Sequence, residues 1–237
     1  MIAFSRLAGA AALSFVLIGS AGAGPVADFE TAMRSAYADY RGALFQTNAN
    51  KPDAAAGAVD AFRQKWAALV AANTDSPPQY ADDPAFAATL AKVATIADTA
   101  AAEVTSGKLP EAHETLEAIR DEIGGLHERS GLVGFSDRMN AYHAKMEEVL
   151  GRDYGGFDAA GLGTLREDAA VLAFLAADIE AHPPAEASDA AYRPLLDGMM
   201  DSVTALAEAA KSADAAAAKG ALGNLKVPYS KLFLKFG

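Results

Sequence analysis

From residue 25 onward, apolar side chains recur at intervals of three and four and are interrupted by proline, glycine and asparagine. Phe29, Met33, Tyr37, Tyr40 and Leu44 form one stripe over Pro25 to Asn50. Val59, Phe62, Trp66, Leu69 and Val70 form a second, opened by Pro52 and closed by Asn73 to Pro78. Pro84 opens a third, with Phe86, Leu90, Val93, Ile96 and Ala100, and a fourth runs from Pro110 to Gly131. This is the period of an amphipathic helix, and each opening proline falls in a first turn, where its missing N–H costs least. Alanine fills the intervals, β-branched alternation is absent and the connections are short. The segments therefore predict four helices in an antiparallel bundle.

The pattern then recurs. Displaced by 106 positions without a gap, Phe29 falls on Phe135, Met33 on Met139, Leu44 on Leu150 and Pro77-Pro78 on Pro183-Pro184. Phe86 falls on Tyr192, Leu90 on Leu196, Leu116 on Leu222, Leu126 on Leu232 and Gly131 on Gly237. Proline pairs and glycines punctuate elements rather than fill them, so their coincidence predicts two copies of one module. The expected fold is all-α, with residues 24–132 and 133–237 as two tandem antiparallel four-helix bundles related by internal duplication. In the second copy the helices are predicted over Phe135 to Arg152, Leu162 to Ala181, Ala190 to Ser212 and Ala215 to Phe236. Pro228 falls inside the last of these and predicts a kink or a restart. The tail Tyr229, Leu232, Phe233, Leu234 and Phe236 is apolar on several sides, which suits a buried closing helix or a docking surface.

Ahead of the first stripe, Met1 to Arg6 carries one basic side chain, Leu7 to Ile18 is apolar but too short to span a bilayer, and Ala21-Gly22-Ala23 offers a small-residue cleavage site. This predicts a cleaved signal peptide over residues 1–23 and a protein of a bacterial periplasm beginning near Gly24. The chain has no cysteine, so it has no lipidated cysteine, no disulfide and no covalent haem. Loss of the leader removes Arg6, leaving 19 basic against 31 acidic side chains and a formal charge of −12. Such a surface repels phosphate backbones and anionic lipid, which argues against nucleic acid and membrane as partners and favours a metal ion or a cationic protein.

The candidate chemistry lies where the two copies differ. His113, His127, His143 and His182 face Lys219, Phe233, Tyr37 and Ser76 at the matching positions. In the fourth helix Leu109, Ala112, Leu116, Ile119, Ile123 and Leu126 take the core positions, placing His113, Arg120 and His127 on the stripe beside them. In the fifth, Met139, Tyr142, Met146 and Val149 fill the core stripe and His143 flanks it. Imidazole with thioether suits copper, above all the cuprous ion, or an axial haem pair. If the two helices fold back near residue 133, His127, Met139, His143 and Met146 share one metal centre. In a second arrangement His113, with Glu117 one turn along, meets His143 and Met146. Beside both stands the plain reading: methionines as core filling, histidines as hydrogen-bonding flanks, and Arg120 with Glu117 as an ion-paired face.

No Gly-rich phosphate loop, Gly-x-Ser-x-Gly, His-Glu-x-x-His, Glu-x-x-His pair or cysteine nucleophile occurs, so an enzyme is not expected. Four helices to a module, with a last helix ending in a basic-aromatic tail, resemble the periplasmic cytochrome c′ and cytochrome b562 class of bundles. Where cytochrome c′ carries Cys-x-x-Cys-His, this chain reads Leu225-Lys-Val-Pro-Tyr-Ser-Lys-Leu-Phe, so covalent attachment is missing from both copies. The resemblance implies the bundle fold and a habit of binding metal or haem. The expected function is thus an exported metal-binding bundle, a carrier or electron-transfer relative, with copper the first cofactor and non-covalent haem the second. The alternative is a structural or adaptor bundle that binds another periplasmic protein through its acidic face and aromatic tail.

Overall fold

The computed structural model describes residues 24–237; the expected signal peptide, residues 1–23, lies outside the described residues. Among the described residues the fold is all-α, without strands. The helices are α1 (Gly24–Asn48), α2 (Pro52–Ala72), α3 (Phe86–Thr105), α4 (Leu109–Arg129), α5 (Phe135–Gly151), α6 (Ala159–Ala181), α7 (Tyr192–Lys211), α8 (Ala215–Gly223) and α9 (Lys226–Phe236). No described helix is long and apolar enough to cross a membrane.

Local chemistry sets the boundaries. Pro52 opens α2, with Asp53 beside it in the first turn, where a missing N–H is harmless and a negative charge favourable. Asp158 accepts the Gly161 N–H at 2.8 Å to cap α6, and Asp214 accepts the Ala217 N–H at 2.9 Å to cap α8. The predicted break at Pro228 is a restart: α8 ends at Gly223, and α9 takes the proline into its own first turn. Helix α3 begins at Phe86 rather than at Pro84, because Asp83 first takes the Ala85 N–H at 2.9 Å and holds the proline in a turn.

Helix α1 packs on α2 and α4, with α3 closing the group against α2 and α4. In the other half α6 lies between α5 and α7, and α9 packs on α7, α5 and, across the seam, α1. The buried side chains make one continuous core that runs from Phe29, Tyr40 and Trp66 through Tyr142 and Leu172 to Leu232. Polar side chains stitch the seam: Asn140 donates to Tyr37 Oη at 3.1 Å, and Arg41 donates to three carbonyls at the end of α9. The apolar tail of residues 229–236 is a closing helix, with Tyr229, Leu232, Phe233 and Phe236 buried.

Several local contacts recur 106 positions apart. Asp83 receives the Ala85 N–H and an ion pair from Arg129 at 3.1 Å; Asp189 receives the Ala191 N–H and one from Lys235 at 2.8 Å. Gly107 and Ala213, at matching turns, both have positive φ, 74° and 55°. An L side chain in that region costs about 1–2 kcal/mol. Ala213→Gly is therefore expected to raise the unfolding free energy by about 1 kcal/mol in urea titration, and no gain would show that the turn relaxes without cost.

Candidate functional site

A cleft of about 310 Å³ opens on the seam where α1, α4, α5 and α9 meet. Helix α4 brings His113, Glu117 and Arg120 to it at intervals of four and three, so one face of the helix supplies all three. Helix α5 adds His143 and Glu147, and α9 adds Lys226, Tyr229 and Phe233. Arg41, Leu44 and Phe45 complete the wall from α1.

Arg120 is the centre of this arrangement. Its side chain is only 13% exposed, yet Nε is buried without an acceptor, and the guanidinium lies 5.6 Å above the Phe233 ring. Among the described residues its one hydrogen bond runs from Nη1 to His143 Nδ1, at 2.7 Å; Glu117 stands off at 3.8 Å. A guanidinium has five N–H donors and no acceptor, so Arg120 must donate and His143 Nδ1 must accept. The neutral His143 ring then carries its proton on Nε2, facing Glu147 at 3.4 Å. Burial first, and then the Arg120 charge, push the His143 pKa down to about 4, so the ring is neutral at neutral pH. Tyr229 stacks on His143 with centroids 5.3 Å apart, and its Oη, like those of Tyr40 and Tyr142, is buried without a partner among the described residues.

The Nδ1 of His113 lies 3.1 Å from Thr47 Oγ1 and 3.2 Å from the Leu44 carbonyl; the carbonyl can only accept, so this nitrogen carries a proton, and Nε2 is turned toward Glu117 at 3.7 Å. His127 is elsewhere: it faces a second cavity, about 470 Å³, bounded by α1 and by Pro183 to Glu186. Its Nδ1 pairs with Asp137 at 2.8 Å, and the same carboxylate takes the Gly134 N–H at 2.6 Å to open α5. Burial disfavours the imidazolium there, but the hydrogen bond and charge of Asp137 outweigh it and the pKa is raised.

The quartet His127, Met139, His143 and Met146 is thus not gathered in one cavity. His127 and His143 face different spaces, and Met139 and Met146 are fully enclosed in the core. The second pairing fares better: His113 and His143 share the cleft with Glu117, although Met146 does not reach it. Among the described residues no group of three or more His, Cys, Asp or Glu is arranged to hold a metal ion. His143 fits a metal poorly at this cleft. Nε2 of His143 carries a proton as long as Arg120 donates to Nδ1, and Arg120 and Lys226 add positive charge where a cation would sit. Sequence reading missed Arg41 and Lys226 and took Tyr229 only as part of the apolar tail. The available signal was Arg41, a charged residue on the core stripe between Tyr37 and Leu44.

The two histidines give opposite pH dependence. His143, depressed from 6.5 to about 4, contributes stability that is present above pH 6.5 and lost as the pH falls toward 4, about 3 kcal/mol in full. His127, raised above 6.5, contributes stability present below pH 6.5 and lost as the pH rises through its folded value. Denaturant midpoints are expected to fall between pH 6.5 and 4 in the wild type and to fall distinctly less in His143→Gln, whose amide oxygen still accepts from Arg120. Equal slopes in the two proteins would refute the assignment.

No protein-family model, curated protein or solved structure matches this chain. What stands of the resemblance to known bundles is the helical-bundle class itself.

Proposed function

We propose that this is an exported, non-enzymatic binding protein that holds a small polar ligand between two copies of one four-helix module. The single observation that carries the reading is Arg120: a buried guanidinium with unused donors, beside the unpartnered Tyr229 hydroxyl, at the mouth of a seam cleft. Buried charge without matching acceptors is costly and is rarely kept unless a ligand or ordered water completes it. Concave sites with a few convergent polar groups on an apolar wall are typical ligand sites.

The duplication reading draws support from the contacts that recur at the 106-residue interval, Asp83 with Arg129 and Asp189 with Lys235. A site at the seam between two such copies can be single even though the module is double, because each copy lends different residues. The reading as a copper or haem carrier is weaker at this cleft, because the His143 tautomer and the flanking cations oppose a metal. The leader-like start and the absence of cysteine favour a periplasmic location.

The test exposes wild-type protein and Arg120→Met to a small-molecule extract, removes unbound material by gel filtration and identifies what the denatured protein releases. A compound retained by the wild type and not by the variant is the expected result. Identical retention profiles would remove Arg120 from the binding site.

A further inference from the structure

We infer that the ligand of this cleft is a small monocarboxylate with an apolar body, its carboxylate paired with Nη2 of Arg120; this rests on the cleft being a ligand site. Three observations lead there. Nη1 is committed to His143 at 2.7 Å and Nε is shut off from solvent, so Nη2, without a partner among the described residues, is the donor left for a ligand. A guanidinium nitrogen offers only charged N–H donors, which a carboxylate accepts and an ammonium cannot. The other arginine at the cleft, Arg41, is already occupied by the Leu234, Lys235 and Gly237 carbonyls.

Charge selects the valence of the anion. Arg41, Arg120 and Lys226 face Glu117 and Glu147, a local net of +1 without counting the imidazoles, on a chain whose overall formal charge is −11. One negative charge completes the site. A second, as on a phosphate monoester, would press against the two glutamates. The remaining wall sets apolar Leu44, Phe45, Phe233 and Leu234 beside polar Asn48 and Ser230, with Phe45 42% exposed and available to a hydrocarbon or ring. The Phe233 ring beneath the guanidinium shields it from water and so strengthens its pairing with a carboxylate.

The experiment is isothermal titration calorimetry of the full chain with benzoate, hexanoate, benzyl alcohol, benzylamine and phenyl phosphate. At least one carboxylate is expected to bind one to one, about tenfold or more tighter than the other three probes, and to weaken about 100-fold in Arg120→Met. Arg120→Lys keeps the charge without the fork. It should weaken binding about tenfold with far-UV circular dichroism unchanged, which separates a lost contact from a lost fold. Tighter, Arg120-dependent binding of phenyl phosphate or benzylamine would overturn the carboxylate assignment and leave the cleft as a ligand site. Silence from all five probes would overturn the carboxylate assignment; joined to an Arg120-independent retention profile, it would overturn the cleft as well.

Discussion

Arg41→Met is expected to lower the unfolding free energy by about 4 kcal/mol. The side chain is 8% exposed and donates through Nε to Leu234 at 3.2 Å, through Nη2 to Lys235 at 3.1 Å and through Nη1 to Gly237. The final carbonyls of any helix have no partner within it, and they carry the negative end of its dipole. A buried guanidinium answers both needs at once, and it ties α1 to α9 across 193 or more positions of sequence. Methionine fills the space and restores none of the three bonds, so α9 keeps its apolar face and loses its cap. Charge-assisted hydrogen bonds of this kind are each worth about 1.5–3 kcal/mol, and incomplete loss of three gives the stated figure. Urea denaturation measures it, and hydrogen exchange should show the fastest gain in α9. A change below about 1 kcal/mol would mean that water replaces the cap.

Asp168→Leu should cost about 3 kcal/mol, and only above acidic pH. The Asp168 carboxylate on α6 is buried; it accepts from Lys145 at 2.8 Å and from Tyr154 Oη at 2.8 Å, and Arg152 lies at 3.2 Å. Burial raises its pKa, but the hydrogen bonds from Lys145 and Tyr154 outweigh that and hold it below 3.8. A depressed folded pKa gives stability that is present above the unfolded value and lost as the pH falls through the folded one. The deficit of the leucine variant is therefore expected to be full at pH 6 and to shrink below pH 3.8. Removing the shared acceptor leaves Lys145 only Glu148, at 3.2 Å, and Tyr154 only the Val149 carbonyl, at 3.2 Å, which is why the loss exceeds that of a surface pair. Phe62 takes the corresponding place in the first half, where it lies fully buried in the core without a network. A pH-independent deficit would show that packing, not charge, sets the cost.

Much of the helix plan was legible because it depends on local rules. Prolines at 52, 110 and 228 and the spacing of Phe86, Leu90 and Val93 report backbone and periodicity directly, and α2, α4 and α9 begin where those residues place them. The start of α3 was displaced by two residues because the Asp83 side chain competes for a backbone N–H, a contact that periodicity does not encode. The site was legible only in part. The difference between positions 106 apart singled out His113 and His143, which meet in the cleft. It also singled out His127, which sequence placed near Met139 because both flank one turn; Asp137, the third residue of α5, takes that histidine instead. Arg120 read as half of an ion-paired face with Glu117, and the folded chain joins it to His143, because only the meeting of α4 and α5 through α1 and α9 sets 2.7 Å against 3.8 Å. Arg41 and α9 lie too far apart in sequence for any spacing rule to join them.

The central claim, that the Arg120 cleft is the ligand site, is tested most directly by a crystal structure of the protein grown with the compound it retains. Density is expected between α1, α4, α5 and α9 with an acceptor atom about 3 Å from Arg120 Nη2. Density lodged in the His127 cavity or on an outer face, with the Arg120 cleft holding only water, would contradict it.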